Sequence, residues 1–327
     1  MRSAMRRQML ALAGGIVMWA AAGAAIAAWP DRPLTVIVPF GPGSSPDQMV
    51  RVVAEDLSQR LGQSVVVTNR AGASGNIGTR AIAQAKADGY TFGVSITGPM
   101  VNNGLMGQEL GYDPRKDLMP LSLAVHQPNV LVVAADSPIQ SMADLKSALQ
   151  DDKQAFNFPS TGSGTVSHLA VELLLKVMQG QAQHVPYTSS PQALTSLVGH
   201  DTQFGALPPV AVMPLVVQGR VRPLALIYTQ RSDLVPGVPT LEEQGYPGIE
   251  GSGWIGFVAP AGLPADIAQP LSQALAASLH SETVVQRLRA MAMEPVGSTP
   301  EEFAQYMDQE RGRWAPLISE LKLDAQP

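Results

Sequence analysis

Between Leu34 and Leu61 the chain changes its hydrophobic period once, and that change limits the possible folds more than any other stretch. Leu34 to Pro39 is apolar and β-branched, the pattern of a short buried strand closed by proline. Phe40-Gly41-Pro42-Gly43-Ser44-Ser45-Pro46-Asp47 then turns sharply, with glycines where positive φ is allowed. From Pro46 the period becomes helical. Met49, Val50, Val53, Leu57 and Leu61 recur at three- and four-residue steps, while Arg51, Glu55, Asp56 and Gln59 face away. Serines ahead of a proline suit a helix start, because their hydroxyls can cap orphan N–H groups and proline fits the first turn. Strand, glycine-rich loop and helix N-terminus together present several backbone N–H groups to an anion.

The same plan repeats downstream. Ser64 to Asn69 predicts a second strand, Arg70 to Gly78 a glycine-rich turn leading into a helix through Ala85, and Tyr90 to Ile96 a third strand ending in Thr97-Gly98-Pro99. This βαβαβ order implies a parallel sheet with ligands at the carboxyl ends of its strands. Val130 to Ala134, after Gln127-Pro128-Asn129, can cross to a second lobe. That lobe again reads as α/β: a helix over 141–149, a strand from Phe156 to Pro159, a small polar loop Ser160-Thr161-Gly162-Ser163-Gly164-Thr165, and a helix carrying Leu169, Val171, Leu173, Leu174 and Val177. A short strand from His184 to Tyr187, a helix over 191–198, a strand at Phe204, a helix over 210–218 and a strand over 221–228 complete it. Trp254 to Pro260 suits a strand crossing back, and helices over 264–279, 282–291 and 300–321 close the chain. Two crossing segments, near 126–130 and 252–257, predict two lobes with a hinge and a cleft between them. The expected division is residues 28–127 with 253–327 against residues 128–252.

At 327 residues the chain can bury two cores. A net charge of −5, with only 15% charged residues, argues against a nucleic-acid partner. Arg2, Arg6 and Arg7 precede an apolar run ending Ala25-Ile26-Ala27, so residues 1–27 read as an export signal cleaved before Ala28, with cleavage before Trp29 a near alternative. A membrane anchor fits less well, since the run is rich in Ala and Gly and no stop-transfer flank follows. The absence of cysteine excludes disulfides, thiol catalysis and Cys-ligated metals, and an exported chain without disulfides suggests a bacterial periplasm.

No catalytic constellation is visible. The first loop opens like a dinucleotide fingerprint, Gly41-x-Gly43, but Pro46 replaces the third glycine and Thr68-Asn69-Arg70 stands where an acidic residue is needed. There is no Walker lysine and no Gly-x-Ser-x-Gly elbow, and the five histidines form no metal-binding spacing. Neither a cofactor nor a metal is expected. What remains is binding chemistry: helix entries at 43–47, 97–99 and 160–165 fall at strand ends in two lobes, where N–H groups and hydroxyls suit a carboxylate without an arginine. His168, one turn into its helix, reads as a packed or capping residue more readily than a ligand contact. Tyr187 can either close the cleft or pack in its lobe.

At this point the chain resembles the Bug (TctC-like) family, periplasmic solute-binding receptors of tripartite tricarboxylate transporters. The resemblance rests on Ile37-Val38-Pro39-Phe40 with Pro42-Gly43 and Asp47, Asn69-Arg70-x-Gly72-Ala73-x-Gly75-Asn76-Ile77-Gly78, and Asp88-Gly89-Tyr90-Thr91. It continues through Pro128-Asn129-Val130, Gly162-x-Gly164-Thr165-x-x-His168-Leu169, His184-Val185-Pro186-Tyr187 and Glu294 to Phe303. It implies a two-lobed type II periplasmic binding protein, monomeric, that closes on a small organic acid and serves membrane transporter subunits or a sensor. Loops holding the carboxylate through backbone groups and bridging water would then comprise Phe40, Gly43, Ser44 and Asp47, Thr97 and Gly98, Ser160, Thr161, Gly162, Ser163, Gly164 and Thr165, with His168 and Tyr187. Three departures from the family pattern are Ser44 and Pro46 in the first loop, Tyr187-Thr188-Ser189 where a lysine is usual, and Gln203 to Pro209 in place of a polar, aspartate-containing segment. They leave a more neutral far wall and favour a ligand with one carboxylate and an uncharged body. A secreted α/β hydrolase or transferase is the remote alternative.

Overall fold

A computed structural model describes residues 29–151, 153–228, 231–249 and 251–323. The export-signal reading of residues 1–27 therefore lies outside the described residues.

The opening stretch folds as read. β1 (Leu34–Val38) leads through the glycine-rich loop into α1 (Ser45–Leu61), which buries Met49, Val50, Val53 and Leu57 and ends on Gly62 at φ +65°. β2 (Val65–Asn69) and β3 (Thr91–Ile96) lie on either side of β1, both parallel to it, with α2 (Asn76–Ala83) between them in sequence. A helical segment follows β3, a π-type turn Gly98–Asn102 that runs into Asn103–Leu105. Glycines at 98 and 104 and a proline at 99 hide it from helix periodicity.

The strand expected at 130–134 is in fact the C-terminal end of β4 (Leu118–Ala134), 17 residues long. Pro120 and Pro128 read as breaks, because proline cannot donate to a ladder. Pro120 sits beside a register shift, and Pro128 pairs with Ser252 at the last rung shared with β9 (Ser252–Pro260). One long strand thus serves both lobes. Its first half pairs with β9 and with β10 (Glu294–Pro295), giving the strand order β10-β4-β9-β3-β1-β2. From Asn129 on it pairs instead with β7 (Phe204–Leu207) and β8 (Val221–Ile227). The change of partners between Pro128 and Asn129 marks the passage from one lobe to the other.

The second lobe adds α3 (Met142–Leu149), the parallel pair β5 (Asn157–Ser160) and β6 (Gln183–Pro186), and the helices α4 (Val166–Met178), α5 (Ser190–Val198) and α6 (Pro209–Val217). α7 (Ala265–Leu279) and α8 (Glu282–Ala290) cover the first lobe together with α1, enclosing a core of Val36, Val53, Leu57, Phe92, Phe257 and Leu271. α9 (Pro300–Glu320) starts on a capping box, Thr299 with Glu302, and packs behind the crossing strands. There the buried Glu310 carboxylate accepts the indole N–H groups of Trp254 (3.0 Å) and Trp314 (3.2 Å) and pairs with Arg313 at 2.8 Å. This network fixes the Trp254 indole against α9, behind the wall described next.

Candidate functional site

The two lobes face each other across a cavity of about 520 Å³, open solvent at its mouth included. The first-lobe wall carries Phe40, Ser44, Ser45 and Pro46 from the first loop, Ile96 and Thr97 from the end of β3, and Gly253, Trp254 and Ile255 from β9. Gln127 and Asn129 stand on β4 at the crossing, and Thr161, Thr165, Val166, Ser167, Ser190 and Pro208 face them from the second lobe. Strand alternation explains the crossing residues: Gln127 and Asn129 point into the cavity, while His126 and Pro128 line grooves on the other side.

Four helices of nine residues or more, α1, α4, α5 and α6, begin at this cavity, and none is capped by its N-cap side chain. In α1 the N-cap Ser44 leaves its hydroxyl without a hydrogen bond, although the residue is 2% exposed. Ser45 Oγ, Thr97 Oγ1 and Gln127 Nε2 are likewise buried without a partner among the described residues. Buried polar atoms in native proteins are almost always satisfied, so four such atoms on one cavity mark a place where something polar binds. Among the described residues no charged side chain lines either wall.

Behind Ser44 the first loop is held by Asp47. Its carboxylate accepts the Gly43 N–H and the Asn69 side-chain amide, both at 2.9 Å, and pairs with Arg51 at 2.9 Å. Burial alone would raise the Asp47 pKa, but the bonds from Arg51, Gly43 and Asn69 outweigh it and hold the carboxyl below 3.8. Gly43 adopts φ +77° to make this turn. Asp47 and Gly43 thus shape the loop and do not line the cavity.

The second-lobe loop satisfies itself. Thr165 Oγ1 donates to the Gly162 carbonyl at 2.6 Å, and Ser167 Oγ accepts the Thr161 N–H at 3.0 Å and meets the Thr165 hydroxyl at 2.9 Å. Ser160, fully buried, bonds Gly162 and meets His184 Nε2 at 2.5 Å. His168 stacks on His184 with centroids 3.9 Å apart, and both stack on Phe158. Burial, and secondarily the neighbouring His168, push the His184 pKa down to about 3, so this ring is neutral at physiological pH. His168 Nδ1 accepts the Gly164 N–H at 3.2 Å, so it braces the loop from within the lobe. Tyr187 packs against the apolar cluster around Leu194, Leu207 and Leu226.

Of the residues expected from sequence, Phe40, Ser44, Thr97, Thr161 and Thr165 line the cavity. Gly98, Gly162 and Gly164 are instead where the lobes touch. The Asn102 amide donates to the Gly164 carbonyl at 2.8 Å, and a Cβ on Gly162 would lie 2.7 Å from Ser74 Oγ. A Cβ on Gly98 would come within 3.6 Å of the Gly164 backbone, and the Gly41 N–H donates to the Thr188 carbonyl at 3.3 Å. Ser163 is not among the residues that line the cavity. The residues that sequence reasoning did not single out are chiefly those on the crossing strands, Gln127, Asn129 and Trp254, with Ser45 and Ser167 beside the serines and threonines already named. Among the described residues no cluster of three metal-ligating side chains occurs, and no helix is long and apolar enough to cross a membrane.

Comparison with known proteins agrees with this architecture. The family model described as the tripartite tricarboxylate transporter family receptor matches residues 49–323. Protein BugT of Bordetella pertussis is 34% identical over 316 residues, covering 96% of this chain and 97% of BugT. Among solved structures, Rpa4515 of R. palustris with adipate superposes with a TM-score of 0.87 at 33% identity, over 90% of this chain and 98% of that one. MatC of Rhodopseudomonas palustris with bound malate gives 0.84 at 28%, over 89% and 100%. The two lobes, the crossing strands and the cavity between them are therefore those of a solute-binding receptor, and the chain belongs to the tripartite tricarboxylate transporter receptor family.

Proposed function

We propose that this protein is exported to the periplasm, captures a small organic carboxylate between its lobes and delivers it to membrane transporter subunits. The observation that carries the reading is the set of buried, unpartnered hydroxyls of Ser44, Ser45 and Thr97 at a cavity where four uncapped helices begin. Each helix start carries a partial positive charge of about half an electron, and its free N–H groups accept an anion without a cationic side chain. Adipate and malate in the two related structures are of this class. Residues 1–27 serve as the cleaved signal peptide in this reading. The rigid halves are residues 28–127 with 253–327, and 128–252, pivoting where β4 changes partners.

Catalysis is not part of the proposal. The nearest approach to a nucleophile and base, Ser160 with His184, lies inside the second lobe with the serine fully buried and tied to Gly162. Presentation of the loaded receptor to a sensor would use the same site and differs only in the partner. Native mass spectrometry of protein purified from its periplasm tests the reading. The expected result is a co-purified organic acid, of unchanged mass after incubation with fresh protein. Recovery of a non-acidic ligand, or conversion of the acid, would overturn it.

A further inference from the structure

The two ends of the cavity differ in a way that defines the ligand further. At one end stand Ser44, Ser45 and Thr97, each at most 3% exposed and unpartnered. The starts of α1, α4 and α5 converge here. Gly164, ahead of α4, lies against Gly98 and Asn103, and a Cβ on Gly43 would meet Pro191 of α5 at 3.6 Å. At the other end the unpartnered group is the Gln127 amide, 5% exposed, on the strand two places beyond β3. The helix that starts at that end, α6, opens with Pro208 and Pro209, so two of its first positions have no N–H to offer. Its Pro208 neighbours Leu207, which pairs with Val130 of β4. Ile96, Trp254 and Ile255 lie between the ends. Two strand spacings separate Thr97 from Gln127, which sets the ends about 10 Å apart.

We infer that the ligand carries one carboxylate, bound at the Ser44–Thr97 end, an apolar body of about five carbons along Ile96 and Ile255, and an uncharged polar group that meets Gln127. The inference rests on the carboxylate reading above and adds the chemistry of the far end. A second carboxylate there would be stripped of water with neither a cation nor a row of N–H donors to replace it, which disfavours binding strongly. A hydroxyl or carbonyl instead satisfies the Gln127 amide, which an apolar terminus leaves buried and unpaired.

Calorimetry with four six-carbon probes tests this: 6-hydroxyhexanoate, hexanoate, adipate and 1,6-hexanediol. The expected order is 6-hydroxyhexanoate tightest, hexanoate about tenfold weaker, adipate at least about tenfold weaker, and the diol without measurable binding. In the Gln127→Leu variant the preference for 6-hydroxyhexanoate over hexanoate falls from about tenfold toward one. Adipate binding as tightly as 6-hydroxyhexanoate, or an unchanged preference in the variant, overturns the inference and leaves the carboxylate reading standing. No binding of any of the three acids, or binding of the diol alone, overturns both.

Discussion

The two loops that face each other across the cleft, 40–47 and 160–167, share one plan and solve it in opposite ways. Each follows a strand, turns on glycine at positive φ (Gly43 in the first, Gly162 and Gly164 in the second) and enters a helix whose N-cap side chain makes no cap. The first is held from behind by an ionised group, Asp47 with Arg51 and Asn69, and leaves its serine hydroxyls facing the cavity unsatisfied. The second spends its hydroxyls on itself, through Ser160, Thr165 and Ser167, over a floor of stacked histidines. The difference separates recognition from support. The first loop waits for a partner, while the second is complete and supplies a rigid rim and free helical N–H groups.

Breaking the anchor of the first loop should have the largest effect. Asp47→Ala leaves the Gly43 N–H and the Asn69 amide without their acceptor, and should cost about 2–3 kcal/mol in urea unfolding and lower ligand affinity by more than about tenfold. The half-exposed Arg51 adds little beyond this, since its charge is screened by solvent. Because the folded carboxyl titrates below 3.8, its contribution is intact above that pH and is lost as pH falls through the lowered value, so the variant should lose the corresponding part of the wild type's acid sensitivity.

On the opposite loop, Gly162→Ala tests the rim. The added methyl would lie 2.7 Å from Ser74 Oγ across the contact between the lobes, and φ +130° adds strain. Affinity should fall about tenfold, by about 1.4 kcal/mol, with a smaller loss of stability in the ligand-free protein. An equal loss in both would mean that this contact belongs to the resting fold. Ser44→Ala and Thr97→Val sharpen the contrast further. Each removes a hydroxyl with no partner, so the ligand-free melting temperature should hold or rise while affinity drops by about 1 kcal/mol each, roughly fivefold. At neutral pH the smallest effect concerns His184, whose contribution shows only on acidification. Its folded pKa of about 3 lies below the unfolded value near 6.5, so its contribution is full above 6.5 and is lost as pH falls toward 3. His184→Gln should flatten the decline of melting temperature between pH 6.5 and 4.

Much of this was readable before folding because it is local. The period change at Pro46, the parallel strands after it and the small polar residues at strand ends are written into consecutive residues, and Phe40, Ser44, Thr97, Thr161 and Thr165 do reach the cavity. The crossing strands were not readable to the same degree. Pro120 and Pro128 disguise β4 as separate pieces, and only its pairing with β9 at Gln127 and with β8 at Asn129 turns these two residues toward the ligand space. Trp254 reads as an ordinary strand residue until Glu310, 56 positions later, fixes its indole. His168 shows the converse. Its spacing from the loop brings it near the cleft, yet the apolar floor of Phe158 draws it inward.

The central claim is that neutral donors on the first loop, without a cation, hold a carboxylate. Thermal unfolding with matched pairs of small carboxylic acids and their primary amides tests it most directly. At a hundredfold excess over Kd, ligand binding adds about 2.7 kcal/mol, which for a chain of this size raises the melting temperature by about 5 °C. At least one acid should produce this shift while its amide produces none. Equal shifts from an acid and its amide, or no shift from any acid, would contradict the claim.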